Sequence, residues 1–358
     1  MKKFLHGSLA AFGLLAVAMG LSGCGGGNDT LPPKVSISKV YVMGDSLADV
    51  GTFSGLKFTI MGADTLVWPQ IVAGRYGLNA ASQCNFFSIA QTTTTNSGCT
   101  NFAIGGARII NKVGDLSAVP TIETQMQAHV GNFEHTDLVL IDGGGNDAAD
   151  LAGAFLALAQ AAPQSLEQLN ALNALNSLLS QLSLSTDGTD VAAKGAAYMQ
   201  ALADRVTTQI NEQVLAKGAR QVAVLDIPDI TLTPRFAPAI AAQALVRTWI
   251  SAYNTRLNQN FSGDARVAIV PFYADFQDEI AHPGNYSLSN VVDQACTTDH
   301  GAPLNYFPCT AAELDAIPNK TVGWWQRYAF SDGFHPTPYG HQLLAASVAR
   351  TLARKGWL

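Results

Sequence analysis

Short apolar runs alternate with stretches of helical periodicity along most of the chain. Four runs predict buried β-strands: residues 40–43, 138–141, 220–226 and 265–270. The intervening stretches place apolar residues at helical spacing: residues 66–77, 122–130, 151–184, 191–216 and 234–261. Strands separated by helices predict an α/β fold, a three-layer α/β/α sandwich with a mostly parallel central sheet.

Small or polar residues follow three of the short apolar segments. Ser46 follows the first run, Asn146 follows the second, and Gly106 follows the apolar residues 102–104. The carboxyl ends of parallel strands meet at one edge of the sheet, where ligands bind. We therefore expect these three residues to lie close together at that edge.

Ser46 stands at the end of a strand, after a glycine that permits a tight turn. Gly44 lets the backbone turn, and a helix could begin near Ser46. A serine in that place could be a nucleophile surrounded by backbone N–H groups, or it could simply cap a helix. The stretch alone leaves both interpretations open.

A candidate base lies near the C-terminus. Asp332 precedes His335 by three residues, a spacing that lets the carboxylate turn back onto the imidazole and fix its tautomer. An isolated pair of this kind is usually structural, but together with Ser46 it predicts a catalytic group.

His341 is the competing base, and we expect it to pack or to cap a terminal helix. No group of His, Asp and Glu has metal-ligand spacing, so we expect no metal. Catalysis by a serine through an acyl-enzyme needs no cofactor, and we expect none.

Four blocks of the chain follow one another in order. They are Gly44-Asp45-Ser46-Leu47 with Asp49 and Gly51, Asn101-Phe102-Ala103 with Gly105-Gly106, residues 143–147, and residues 332–335. Together they resemble the motifs of the SGNH hydrolases of the GDSL esterase/lipase family, whose fold is flavodoxin-like. The resemblance covers roughly residues 38 to 355.

The resemblance implies roles for the residues of these blocks. Ser46 would be the nucleophile, His335 the base and then the acid, and Asp332 the group that orients His335. The backbone N–H groups of Ser46 and Gly106 and the side-chain amide of Asn146 would form the oxyanion hole.

Further assignments follow from the same resemblance. The register of the family favours Gly106 over Gly105 as the backbone donor. The carboxylates of Asp45, Asp49 and Asp147 would be structural and hold the loops around the serine.

The N-terminus has the features of an export signal. Lys2 and Lys3 precede an apolar run, residues 9–19, that is too short to span a bilayer. The following Leu21-Ser22-Gly23-Cys24 resembles the lipobox of bacterial lipoproteins, whose cysteine is lipidated; an ordinary signal cleavage that leaves Cys24 free is the alternative.

The predicted signal and lipobox divide the chain into three parts. Residues 1–23 would be the signal peptide, 24–37 a flexible tether, and 38–358 the hydrolase domain, with a helical insertion around 151–190. By family resemblance, glycine after the lipidated cysteine implies the outer membrane, and secretion is the alternative location.

Charge and cysteine content narrow the possible partners. Removing the leader with its two lysines changes the net charge from −6 to −8, and no basic cluster remains to bind nucleic acid.

The four remaining cysteines form two local pairs. In an oxidising compartment they predict the disulfides Cys84–Cys99 and Cys296–Cys309. A zinc site is the alternative, and the long gap between the pairs disfavours it.

These observations predict a serine esterase or lipase that cleaves carboxylic esters, with acyl or lipid esters as its substrates, through an acyl-enzyme. Phospholipase, acyltransferase and carbohydrate O-acetyl esterase activities use the same chemistry and stay open. A surface lipoprotein that binds without catalysis is the alternative from another class. The poorly charged insertion is either core or a mobile lid, and the sequence does not indicate the oligomeric state.

Overall fold

The computed structural model describes residues 35–90, 93–110, 119–188, 190–297 and 309–358. They belong to one compact unit, Pro33–Leu358. The predicted signal peptide, Cys24 and most of the predicted tether lie outside the described residues. Within the described ranges, no helix combines the length and the apolar character needed to cross a membrane.

Strands and helices alternate through the chain, as the hydrophobic pattern predicts. In chain order the elements are β1 (Lys39–Met43), α1 (Trp68–Arg75), β2 (Phe87–Ile89), β3 (Thr93–Thr95), α2 (Ile122–Ala128), β4 (Asp137–Ile141), α3 (Gly145–Gln160), α4 (Leu166–Gln181), α5 (Val191–Ile210), β5 (Gln221–Leu225), α6 (Ile240–Asn260), β6 (Val267–Val270), α7 (Phe272–Ala281), β7 (Asn290–Gln294), α8 (Ala311–Asp315), β8 (Tyr328–Phe330) and α9 (Pro338–Arg354).

Four of the strands form a parallel central sheet in the order β1-β4-β5-β6. A parallel bridge between Val42 and Asn101 places the chain at Asn101 next to β1, as a fifth position at that edge of the sheet. With that bridge the order is that of a flavodoxin-like sheet. Met43 pairs with Ile141, and Ile141 pairs with Val224, so the carboxyl ends of the strands are level. The predicted α/β fold with a mostly parallel sheet is confirmed.

Helices cover both faces of this sheet because alternate strand residues point to opposite sides. In β4, Leu138 and Leu140 pack in a cluster that contains residues of α1 and α9. Val139 and Ile141 pack in the larger cluster with residues of α2, α3, α5 and α6. The sheet is therefore dry on both faces, and polar chemistry is confined to its edge.

Two local predictions need correction, and two small sheets were missed. No helix follows Ser46; residues 45–49 form a single turn, in which the Asp49 N–H donates to the Asp45 carbonyl at 3.1 Å. The helix predicted over 191–216 ends at Ile210 and continues as a π-helical turn, Asn211–Leu215. The two small sheets, β2-β3 and β7-β8, were not predicted.

The predicted insertion is a helical hairpin of α3 and α4, interrupted around Pro163. Its inner side belongs to the core, because Leu175 and Leu179 of α4 are buried in the larger cluster. Its outer side carries the exposed Leu166 and Leu169. The inner side of the hairpin thus contributes to packing.

Both predicted disulfides are present. Cys84 is bonded to Cys99, and Cys296 is bonded to Cys309. The first holds the excursion that contains β2 and β3, and the second lies beside the small apolar cluster around Ile60 and Trp325.

Candidate active site

The turn that carries Ser46 is held from below by buried carboxyl groups. The Asp45 N–H donates to Asp142 Oδ1 at 2.9 Å, and the Leu47 N–H donates to Asp45 Oδ1 at 3.0 Å. A Cβ on Gly44 would lie only 1.8 Å from Asp142 Oδ1, so no residue larger than glycine fits there. Ser46 itself is buried in the resulting turn.

His335 and Asp332 meet Ser46 in one hydrogen-bonded chain. His335 Nε2 lies 2.8 Å from Ser46 Oγ, and His335 Nδ1 lies 2.7 Å from Asp332 Oδ2. The geometry permits Nε2 to accept the serine proton while the carboxylate accepts the proton on Nδ1. These three residues, predicted from segments 289 positions apart, thus lie within hydrogen-bond reach of each other.

Asp332 stays ionised although it is buried. Burial alone would raise its pKa, but the hydrogen bond from the His335 ring, the nearby imidazole charge and two backbone N–H groups hold the pKa below its ordinary value. The backbone N–H groups of Phe334 and His335 both donate to Asp332 Oδ1 at 2.7 Å. Oδ2 therefore remains directed at the imidazole.

Aromatic rings and a serine fix the orientation of His335. Its ring centroid lies 5.2 Å from that of Phe58 and 5.7 Å from that of Phe334. The backbone N–H and hydroxyl of Ser331 both donate to the His335 carbonyl, at 2.9 and 3.0 Å. Gly105 makes room for this packing, because a Cβ there would lie 2.0 Å from the Phe58 ring.

Two backbone N–H groups near Ser46 have no hydrogen-bond partner among the described residues. They belong to Ser46 and to Gly106, which has a left-handed φ of 79°. The Gly105 N–H, by contrast, donates to Asp49 Oδ2 at 2.8 Å. Of the two adjacent glycines, Gly106 is therefore the one whose N–H is left for a ligand, in agreement with the register of the family.

The side-chain amide of Asn146 lies in the first turn of α3, directly after β4. Its Nδ2 donates to the Ala107 carbonyl at 2.9 Å and lies 3.5 Å from Asp45 Oδ2. The short bond uses one of its two hydrogens and orients the amide. The second, in only a long contact, can donate to an oxyanion.

Asn146→Ala should lower kcat by roughly 10²–10³-fold, the cost of removing one oxyanion donor. Asn258→Ala is the matched control, because the Asn258 amide also donates to a backbone carbonyl at 2.9 Å, but within α6. Steady-state kinetics on a p-nitrophenyl ester measures both variants. An Asn146→Ala enzyme with the kcat of the wild type would remove Asn146 from the mechanism.

The other motif residues join the loops around Ser46. Asp49 Oδ1 accepts the N–H groups of Gly51 and Thr52, while its Oδ2 reaches Gly105. Asp147 Oδ2 accepts the Ile109 N–H at 3.0 Å. These contacts are the structural roles that were predicted for both carboxyl groups.

Two supporting residues were missed by the sequence analysis. Gln125 is fully buried on α2, where Oε1 accepts the Gly44 N–H at 2.8 Å and Nε2 donates to the Gly44 carbonyl at 2.9 Å. Arg108 Nη1 donates to the Gly106 carbonyl at 3.0 Å, and its Nε pairs with Asp150 at 2.5 Å. One signal in the sequence indicates that Gln125 is buried. It lies on the same face of α2 as Ile122 and the other apolar residues.

Burial controls the charge of the groups behind the site. Burial, together with the neighbouring Asp45, raises the pKa of Asp142 well above its ordinary value, and burial also raises the pKa of Asp45. The two carboxyl groups behind the turn of Ser46 therefore carry less negative charge than two aspartates would carry in water.

His341 is not a competing base. It is fully buried, and burial lowers its pKa to about 3, so it is neutral. Its Nδ1 lies 3.4 Å from the Trp68 backbone N–H, in the core next to α1. No set of three or more His, Cys, Asp or Glu side chains in the described part of the chain could hold a metal ion.

Comparison with known proteins gives matches over most of the chain. A protein of Pseudomonas putida, described as an uncharacterized protein in the trpE-trpG intergenic region, is 25% identical over 331 residues. The alignment covers 86% of this chain and 47% of that protein, so the chain spans about half the length of this relative.

Two solved structures are also similar. The lipase Lip_vut3 from a goat rumen metagenome has a TM-score of 0.38 at 14% identity, covering 87% of this chain and 96% of that one. Phospholipase A1 from Streptomyces albidoflavus NA297 has a TM-score of 0.43 at 13% identity, covering 88% and 99%. The family model of the GDSL-like lipases and acylhydrolases matches residues 40–348. Because this match spans nearly the whole described chain and includes all four motif blocks, the protein belongs to the GDSL-like lipase/acylhydrolase family.

Proposed function

We propose that this protein is a serine esterase that hydrolyses carboxylic esters through an acyl-enzyme, without a metal or cofactor. The observation that carries the proposal is the hydrogen-bonded chain from Ser46 Oγ through His335 to Asp332, with contacts of 2.8 and 2.7 Å. Beside it, the N–H groups of Ser46 and Gly106, which have no partner among the described residues, and the amide of Asn146 supply donors for an oxyanion.

Each chemical step has a residue in place. His335 Nε2 takes the proton of Ser46 as Oγ attacks the ester carbonyl, and the neutral donors stabilise the developing oxyanion. The intermediate collapses, the bond to the alkoxy oxygen breaks, and the imidazolium protonates the departing alcohol. Water, deprotonated by the same nitrogen, then attacks the acyl-enzyme, which releases the carboxylic acid and restores the serine.

The surroundings of the site favour an apolar acyl group. A cavity of about 70 Å³ lies next to the turn of Ser46. It is bordered by the two neighbours of Ser46 in sequence, which are Asp45 and Leu47, and by the two neighbours of His335, which are Phe334 and Pro336. Its remaining walls are mainly apolar side chains from β5, α7, β8 and α9. An apolar chain gains free energy by leaving water for such a cavity.

An alkyl fluorophosphonate tests the proposal. An activated serine displaces the fluoride and stays phosphonylated, so mass spectrometry of the digested protein should find the label on Ser46. Heat-denatured protein is the control and should remain unlabelled. A folded protein that stays unlabelled at Ser46 would instead favour a binding protein without catalysis.

Other acyl transfers use the same chemistry. Phospholipase and carbohydrate O-acetyl esterase activities differ in the substrate, and acyltransferase activity differs in the acceptor that replaces water. A panel of p-nitrophenyl esters of increasing acyl length, compared with a phospholipid and an acetylated sugar, distinguishes these substrates.

We further propose that the mature protein is anchored in the bacterial outer membrane through a lipid on Cys24, with secretion as the alternative. The support is the sequence around Cys24, which lies outside the described residues. Cys24→Ser should move the protein from the membrane fraction to the soluble fraction, as measured by fractionation and immunoblotting. Retention of the variant in the membrane fraction would contradict the lipid anchor.

A further inference from the structure

Four carboxyl groups border the cavity next to the nucleophile turn, and one of them differs from the others. Asp45, Asp142 and Asp226 each accept a backbone N–H, at 3.0, 2.9 and 2.6 Å. Glu279, on α7, is 5% exposed and makes no hydrogen bond to any residue that the structure describes. A buried carboxyl group without a partner costs free energy, so its presence in an apolar wall needs an explanation.

Glu279 also lacks an ion-pair partner within the described ranges. Arg350 of α9, whose charge acts on Glu279, pairs with Asp275 at 2.6 Å. Asp278, on the same helix as Glu279, accepts a hydrogen bond from Tyr286 and lies 2.8 Å from His282 Nδ1. Arg350 and the two acidic neighbours are therefore engaged with other described residues, and Glu279 itself lines the cavity, where a bound group could be its partner.

We propose that the cavity receives the acyl chain of the substrate and that Glu279 selects chains that carry an oxo or hydroxyl group. This inference rests on the proposed esterase function and names its substrate class. An oxygen on the acyl chain pairs with the carboxyl group, whereas a plain alkyl chain removes the remaining water from Glu279 and leaves it unpaired. The discrimination follows because an unsatisfied buried polar group costs more than a satisfied one.

The protonation state of Glu279 suits this role at neutral pH. Burial, and then the charge of Asp275, raises the pKa of Glu279 to about 8, with Arg350 opposing and Asp278 adding to the rise. Asp226, across the cavity, has a pKa raised to about 7, chiefly by burial. Below pH 8 Glu279 is mainly the neutral acid, which can donate to an oxo oxygen; above pH 8 the carboxylate cannot.

The test compares kcat/KM for the p-nitrophenyl esters of hexanoate, 4-oxohexanoate and 5-oxohexanoate. For the wild type we expect at least one oxo ester to exceed hexanoate by about tenfold, the effect of one hydrogen bond to a buried group. In Glu279→Leu this ratio should fall to one. Glu279→Gln keeps a donor and an acceptor at the same place and should retain the preference.

Asp278→Asn is the matched control, because it removes an acidic group of the same helix that points away from the cavity toward His282. At pH 6, where Glu279 is the neutral acid with or without the charge of Asp278, this variant should keep the ratio of the wild type. As pH rises through 8 the preference should fade in the wild type and persist in Glu279→Gln. Because each ratio is taken within one variant, partial loss of folded protein does not affect it.

Two results would overturn the selection by Glu279. One is a wild type that cleaves all three esters with equal kcat/KM; the other is a Glu279→Leu enzyme that keeps the preference for an oxo ester. Both leave the esterase function standing, since the esters are cleaved. Failure of the wild type to cleave any of the three esters would instead count against the proposed function itself.

Discussion

Ser46→Ala should lower kcat for an activated ester by about 10⁶-fold, the loss seen when a serine nucleophile is removed from a working triad. The Ser46 hydroxyl lies 2.8 Å from His335 Nε2, so its removal leaves the base without a proton to accept. The Ser46 backbone N–H, which the proposed oxyanion hole uses, is retained in the variant. The residual rate would then come from water attack assisted by the oxyanion donors.

The measurement is steady-state hydrolysis of p-nitrophenyl acetate at high enzyme concentration, with Ser38→Ala as the matched control. Ser38 is exposed at the opposite end of β1, where its hydroxyl donates to Thr136 Oγ1. The control should keep the kcat of the wild type, and both variants should keep its unfolding temperature. A Ser46→Ala enzyme as active as Ser38→Ala would rule out Ser46 as the nucleophile.

Residues whose role depends on their immediate neighbours in sequence could be predicted. Asp332 reaches His335 because the two are three residues apart, and Gly44 precedes Ser46 at the end of an apolar strand. The parallel sheet itself follows from strands that alternate with helices, which brings the ends of β1 and β4 to one edge. The fold class was therefore accessible without coordinates. The meeting of Ser46 with Asp332 and His335 was implied by the resemblance to the SGNH hydrolases, since the sheet argument alone does not place the loop of His335.

Contacts that depend on tertiary packing could not be predicted. Gln125 clamps both polar groups of Gly44 across 81 positions of sequence, and a glutamine on a short helix gives no indication of its partner. Glu279 looks like a solvent-facing residue of α7, and its burial arises because β8 and α9 close the same cavity. In both cases a polar side chain is placed by elements that are distant in sequence.

The turn at Ser46 shows the same limit on a smaller scale. The sequence allowed a helix to begin near Ser46, but Asp49 uses both carboxylate oxygens on the backbone of Gly51, Thr52 and Gly105. These bonds end the turn after one revolution and join it to the loop of Gly106. The contacts of Asp49 thereby stop a helix from forming. The partners of this carboxylate could not be predicted, because one of them lies in the loop of Gly105, which is distant in sequence.

Asp332→Asn should lower kcat by about 10⁴-fold while leaving the fold intact. The backbone N–H groups of Phe334 and His335 require an acceptor at Oδ1, so the asparagine must keep its oxygen there. Its NH₂ group then faces His335 Nδ1, where the carboxylate oxygen lay at 2.7 Å. A donor at that place requires Nδ1 to be the acceptor, which moves the ring proton to Nε2. The imidazole can then no longer accept the proton of Ser46.

This mechanism predicts a tautomer change as well as a slower enzyme. Nitrogen-15 NMR of the His335 ring should find the proton on Nδ1 in the wild type and on Nε2 in Asp332→Asn. Asp315→Asn is the matched control, because Asp315 Oδ1 also accepts a ring N–H, from Trp325, and a backbone N–H, from Gly323. It should keep the kcat of the wild type. If Asp332→Asn lost activity but kept the proton on Nδ1, the carboxylate would act through its charge rather than by selecting the tautomer.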